Sequence, residues 1–257
     1  MYAMPWDNEL AVAREAVAAA AEIARGLQAG IAVDTKEDLS PVTRADRECE
    51  RAIAALLGRH FPGDGILGEE GALMESRSGR RWIIDPIDGT RDFVRGNTLW
   101  ANLLALEDHG EIVAGVANLP VFGRTYWASR GGGAFCNGQR IGISSKRTIA
   151  ESVLCCNGYD KILQTPFHAG LLEWMSRFWA VRGLGGCADA LMVASGQAEV
   201  WIEPSAKAWD FAPLKIILSE SGAEFFALDG SDSIYAGSGI GTVPALRKEV
   251  ESFVRQL

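Results

Sequence analysis

The chain predicts a mixed α/β fold: helices first, then a largely antiparallel sheet, then a second half in which strands and helices alternate. Three observations carry this. Residues 8–27 are alanine-rich, and Leu10, Val17, Ala21 and Ala24 form an approximately helical stripe. Residues 99–143 hold strand-length apolar runs separated by Asp108-His109-Gly110, Gly131-Gly132-Gly133 and Asn137-Gly138, all turn signals. From Glu151 onward, short apolar runs alternate with longer helical ones.

Taken in order, residues 34–41 read as a polar connection after the first helix, stiffened by Pro41. Thr43 can cap a second helix with Asp46 reaching back from the third position, and Gly58 is expected to stop it. Cys49, Ile53, Leu56 and Leu57 would be its buried face. A turn over 61–65 leads to a short strand, 66–70, that ends in Glu69 and Glu70. The next strand covers 82–85, after which Asp85-Pro86-Ile87-Asp88-Gly89-Thr90 reads as a sharp turn. Strands over 99–107, 112–118, 124–129 and 134–143 extend the sheet.

In the second half, strands are expected at 153–156, 179–182, 199–202 and 223–228, and helices at 168–178, 188–195 and 209–220. Pro213 is tolerable because it falls in a first turn, and Gly222 ends that helix. Pro244 opens a last helix with Leu246, Val250, Phe253, Val254 and Leu257 on one face. The halves join over 144–150 without a flexible composition. Residues 1–257 therefore read as one domain, with an N-terminal α+β half to about residue 145 and a C-terminal α/β half beyond it.

Composition removes several functions. With 33 acidic against 25 basic residues the net charge is -8, which gives a nucleic-acid partner no electrostatic support. The basic residues are scattered, without a polybasic run for membrane headgroups, and charges interrupt the alanine-rich stretch. No signal-peptide pattern is seen at the start, and five cysteines without CxxC spacing suit neither a disulfide framework nor a zinc site. A reducing cytoplasm is the expected location. The three histidines, His60, His109 and His168, lie far apart and read as structural or surface groups.

The chemistry gathers at the ends of predicted elements. Glu69 ends one strand, Asp85 and Asp88 follow another, and Asp210 begins a late helix. Mg²⁺ takes oxygen ligands, so a few carboxylates and a substrate phosphate suffice to hold it. Two such ions can clamp the attacking and leaving oxygens of a phosphoryl displacement. Gly89 lets backbone approach a phosphate, and N–H groups at Gly89 and Thr90 would face the anion if they open a helical turn. Thr90 with Glu69 could then orient an attacking water. Haloacid-dehalogenase-type phosphatases carry Asp-x-Asp-Gly-Thr after an apolar strand, whereas the spacing here is Asp-x-x-Asp-Gly-Thr, which argues against an aspartyl-phosphate mechanism.

Gly68-Glu69-Glu70, Asp85-Pro86-Ile87-Asp88-Gly89-Thr90 and Trp209-Asp210 with Ser221-Gly222-Ala223, in that order, resemble the inositol monophosphatase family of lithium-sensitive, Mg²⁺-dependent phosphomonoesterases. The resemblance implies a layered αβαβα sandwich, a homodimer, and two or three Mg²⁺ ions, with Mn²⁺ as a substitute and Li⁺ as an inhibitor. It implies metal ligation by Glu69, Asp85, the Ile87 carbonyl, Asp88 and Asp210. Glu69 and Thr90 would act on the water, supported by Asp46, while Asp88, Gly89, Thr90 and Asp210 lie against the substrate. Lys36 matches a lysine that the family carries on a mobile loop near the site.

The alcohol half of the ester is less clearly written. Glu203, seven residues before Asp210, matches a position that contacts a substrate hydroxyl or amine. The segments 34–43, 92–96 and 100–102 look most like the histidinol-phosphate phosphatase branch. That branch has Gly-Asp before the helix at Ala188, inositol-type members have Gly-Ser or Gly-Thr, and this chain has Gly185-Gly186-Cys187. Histidinol phosphate is the expected substrate, inositol 1-phosphate the alternative, and a nucleotide 3′-phosphate less favoured. A non-catalytic cation-binding module is the rival from another class, opposed by the intact Glu69 and Thr90.

Overall fold

The structure, a computed structural model, describes residues 6–36 and 41–256. Part of the expected connection over 34–41, and Leu257 of the last helix, fall outside these residues. Asp7–Leu27 (α1) buries the predicted stripe. Val33–Thr35 (β1) and Pro41–Thr43 (β2) pair antiparallel where the sequence predicts no strand.

Thr43 caps Arg44–His60 (α2): its hydroxyl accepts the N–H groups of Ala45 and Asp46, and Asp46 accepts the Thr43 N–H at 2.8 Å. The helix runs through Gly58 and ends at Phe61, whose N–H reaches the Leu57 carbonyl. A mid-helix glycine costs only about 1 kcal/mol, and buried Leu56 and Leu57 outweigh it.

Gly65–Gly68 (β3), Leu73–Met74 (β4) and Arg80–Asp88 (β5) follow, then the short helix Thr90–Val94 (α3). Ala101–Asp108 (β6), Glu111–Leu119 (β7), Arg124–Ser129 (β8), Gly133–Cys136 (β9) and Gln139–Arg140 (β10) complete an eight-stranded sheet ordered β10-β9-β8-β7-β6-β5-β3-β4. Its pairs are antiparallel except β3 with β5.

The second half holds Val153–Cys156 (β11), Tyr159–Ile162 (α4), Leu171–Met175 (α5), Ala180–Arg182 (β12) and Gly186–Ala194 (α6). Val200–Glu203 (β13), Ala208–Ser221 (α7), Glu224–Phe226 (β14), Gly239–Thr242 (β15) and Arg247–Arg255 (α8) follow. The second sheet is ordered β12-β11-β13-β15-β14. Where one helix over 168–178 is expected, a 3-10 turn over Pro166–Gly170 leads into α5.

β15 has no counterpart in the sequence reading, because its two glycines hide its strand character. Both are needed: a Cβ on Gly239 would stand 2.6 Å from the Phe211 ring, and one on Gly241 2.9 Å from Leu218.

Side-chain alternation along the strands assigns the layers. In β5, Trp82 and Ile84 join a core with α1 and α2, while Ile83 faces α6 and α7. In β13, Trp201 faces α6 and α7, while Val200 and Ile202 pack against α5 and α8. The order is therefore α1/α2, eight-stranded sheet, α6/α7, five-stranded sheet, α5/α8, which is the αβαβα sandwich expected. No helix among the described residues is long and apolar enough to cross a membrane.

Candidate active site

The stretch expected as a sharp turn after Asp85 is instead the continuation of β5 to Asp88. Asp85 pairs with Leu103 and Asp88 with Ala101, so three steps on β5 oppose two on β6. That extra residue is a β-bulge. In a regular strand, residues three apart point to opposite faces; the bulge shifts the phase and lets both carboxylates reach one point. Pro86 sits inside the bulge, where no ladder N–H is required. Its carbonyl is taken by buried Asn102 at 2.6 Å, which Asn118 contacts in turn.

Gly89 then caps α3 with φ +81°, and a Cβ there would lie 2.7 Å from the Leu99 carbonyl. Only glycine fits both conditions. The Gly89 and Thr90 N–H groups at this helix start have no intrahelical acceptor.

Across the α7 start, Asp210 accepts the Lys207 N–H at 2.6 Å. Asp85, Asp88 and Asp210 each offer an oxygen within 4.8 Å of the others. Burial first, then the neighbouring carboxylates, pushes Asp210 up to about 8. The same causes raise Asp85 and Asp88, although the Cys187 N–H at 2.7 Å partly holds Asp88 down. Asp85 Oδ1 is buried without a hydrogen-bond partner. Three converging acids with an orphaned oxygen fit a hard divalent cation, which would satisfy that atom and offset the repulsion.

Glu69 lies directly after β3, its N–H on the Ile84 carbonyl at 3.1 Å, and its negative charge is among the causes that raise Asp85. It stands beside the triad, not within it, and Lys36 pairs with Glu69 at 2.8 Å and with Glu70 at 2.5 Å. Burial would lower the Lys36 ammonium, but the two glutamates hold it above its ordinary range. Thr90 Oγ1 is 3.2 Å from Asp46 Oδ1 and 3.1 Å from the Ile87 carbonyl. Asp46 is fully buried, its other oxygen accepting from Thr43 N and Oγ1.

Gly186 opens α6 at φ +53°, and a Cβ there would meet Asp88 Oδ2 at 2.7 Å. With Cys187, Glu203 and Asp210 it lines one cavity beside Asp88. Burial, then Asp88 and Asp189, pushes Glu203 up to about 7, against the Ser205 N–H and an Asn157 hydrogen bond. Sequence reasoning missed this support. Asn157, just past β11, also donates to Asp189 at 3.3 Å; Asp189 is fully buried and accepts the Leu184 and Gly185 N–H groups at 3.0 and 3.1 Å. It also missed Glu50, although Asp46, Glu50, Ile53 and Leu57 share one row of α2 and an acid in such a row was a readable signal.

The model of the inositol monophosphatase family matches residues 6–256. A histidinol-phosphatase of Mycobacterium tuberculosis is 37% identical over 223 residues, covering 85% of this chain and 86% of that protein. An inositol-1-monophosphatase of Mesorhizobium japonicum is 36% identical over 197 residues, covering 75% and 74%. Among solved structures, an IMPase of Thermotoga maritima superposes with a TM-score of 0.88 at 28% identity, covering 97% of each chain.

Proposed function

The chain belongs to the inositol monophosphatase family and is a phosphoric monoester hydrolase, and from that premise we propose that it hydrolyses histidinol phosphate with Mg²⁺. The observation that carries the substrate is the acidic alcohol end. Glu203 lines it and is tied through Asn157 to the fully buried Asp189, and among the described residues no lysine or arginine is ion-paired with either acid. A carboxyl group left without a cationic partner at this position suits a leaving group that bears an amine. The named relatives support the same reading, since the histidinol-phosphatase of Mycobacterium tuberculosis matches over 85% of this chain and the inositol-1-monophosphatase of Mesorhizobium japonicum over 75%.

Glu69, Asp85, the Ile87 carbonyl, Asp88 and Asp210 would hold the ions, two or three in number, with Mn²⁺ able to replace Mg²⁺ and Li⁺ competing. When bound, Mg²⁺ supplies neutralisation of the phosphate and acidification of water. The remaining work belongs to the chain. The Gly89 and Thr90 N–H groups bind phosphate oxygens. The Thr90 hydroxyl has one proton, and donating it in a hydrogen bond to the Asp46 carboxylate leaves its lone pairs free to accept from the attacking water. Glu69 takes the other side of that water. Gly186 leaves room beside Asp88, and Glu203 faces the leaving alcohol. The active form is a cytoplasmic homodimer in this reading.

Phosphate release from a panel of monoesters, with Mg²⁺ and with chelator, tests the proposal. Histidinol phosphate should give the highest kcat/KM, and chelator should abolish turnover. A higher kcat/KM for inositol 1-phosphate would replace the substrate, and undiminished release under chelation would remove the metal.

A further inference from the structure

Glu50 lies on the buried face of α2, only 3% exposed, and is not among the groups that the proposed reaction uses. Its two oxygens are divided between two main-chain donors of the turn that carries Glu69. Oε2 accepts the Glu70 N–H at 2.8 Å and Oε1 the Ala72 N–H at 2.7 Å. The same turn is closed by the Gly68 N–H on the Ala72 carbonyl at 2.8 Å. A Cβ at position 68 would stand 2.3 Å from Glu50 Oε2, so the glycine of Gly68-Glu69-Glu70 is there to admit this carboxylate.

Asp46 sits four residues earlier on the same helix and holds Thr90. One rigid helix thus carries, one turn apart, the supports of both groups that would flank the attacking water. We infer that Glu50 is a positioning residue: its bidentate grip on the Glu70 and Ala72 N–H groups fixes Glu69 at the spacing from Thr90 and Asp85 that ion and water require. The inference rests on the Mg²⁺-dependent reading given above.

Glu50→Gln tests it. The amide keeps the shape but offers one acceptor, so one N–H of the turn faces an NH₂ group. Mg²⁺ titrated calorimetrically into the ester-free protein should bind about 10- to 100-fold more weakly, with a comparable fall in kcat. The KM for the ester at saturating Mg²⁺ should stay within about threefold, because the phosphate and alcohol contacts are untouched. Glu50→Asp, which keeps both acceptors on a shorter stem, should fall between the two and covers the case in which the amide variant does not fold. Ile53→Val removes apolar packing from the same helix and should lower thermal stability while leaving Mg²⁺ affinity unchanged. Mg²⁺ binding by Glu50→Gln within about twofold of wild type, or an equal loss in Ile53→Val, overturns the positioning role. Wild-type protein that binds no Mg²⁺ would instead refute the underlying reading, and the inference with it, before any variant is compared.

Discussion

The phosphate end and the alcohol end of the site are built by different means. At the phosphate end the backbone sets the geometry: a bulge phases Asp85 and Asp88, a glycine at φ +81° turns the chain, and helix caps fix Asp46 and Asp210. At the alcohol end the geometry depends on side chains from separate elements, with Glu203 at the end of β13, Asn157 past β11 and Asp189 inside α6. A backbone-determined site tolerates almost no substitution, whereas a relay of side chains can be retuned one residue at a time. In the proposed reaction the first end would serve the chemistry shared by the family, and the second the choice of ester.

The largest effect should come from Asp88→Asn. One member of a like-charged cluster becomes neutral, and the new amide oxygen can still accept the Cys187 N–H. Turnover should fall at least about 100-fold. The chelator-treated variant should nevertheless melt a few degrees higher than wild type, roughly 2–4 °C per kcal/mol of repulsion relieved. The pH dependence follows from the same cluster. Asp210 is pushed up to about 8, with Asp85 and Asp88 raised too, so the folded metal-free chain keeps protons that the unfolded chain releases near pH 4. The stability this contributes is full below about pH 4 and is lost as the pH rises through about 8. Differential scanning calorimetry under chelator should show this cluster lowering the Tm over that window, with a shallower slope in Asp88→Asn and in the Mg²⁺-loaded protein. Activity above a tenth of wild type, or a steeper slope in the variant, would contradict a backbone-set ion site.

The same contrast explains what could be read before the fold was known. Asp85, Asp88, Gly89 and Thr90 were legible because backbone geometry imposes a fixed spacing, and spacing is what a sequence displays; Asp210 was legible from its place at a helix start and from the family resemblance. Even there the mechanism of the spacing was hidden: a turn was expected where a bulge exists, since Pro86 and Gly89 signal both. The layer order came with the family resemblance, and β15 escaped because its glycines make room for Phe211 and Leu218 instead of signalling a strand. Asp189 and Asn157 were illegible for another reason. They are 32 residues apart and meet only because β11 and α6 are packed together, so no local pattern records them.

A tenfold change is expected at Glu203, where the two ends separate most cleanly. Glu203→Gln replaces the acid at the alcohol end and leaves the three acids of the triad in place. The ratio of kcat/KM for histidinol phosphate to that for inositol 1-phosphate should fall about 10-fold, equivalent to about 1.4 kcal/mol. Mg²⁺ affinity should hardly move. An unchanged ratio would deny Glu203 its part in choosing the ester.

The smallest effect, and the sharpest division between the ends, should come from Asn157→Ala. Asn157 joins Asp189 to Glu203, so its loss frees the Glu203 carboxylate to rotate without changing the charge of the site. An ester that depends on a directed contact then pays in orientation, while one that uses only the phosphate end does not. KM for histidinol phosphate should rise about threefold with kcat nearly constant, the pattern of lost uniform binding. A small ester such as glycerol 2-phosphate should show no change. Equal losses for both esters would mean that Asn157 supports the fold of the whole pocket, and the two ends could then no longer be treated as independent.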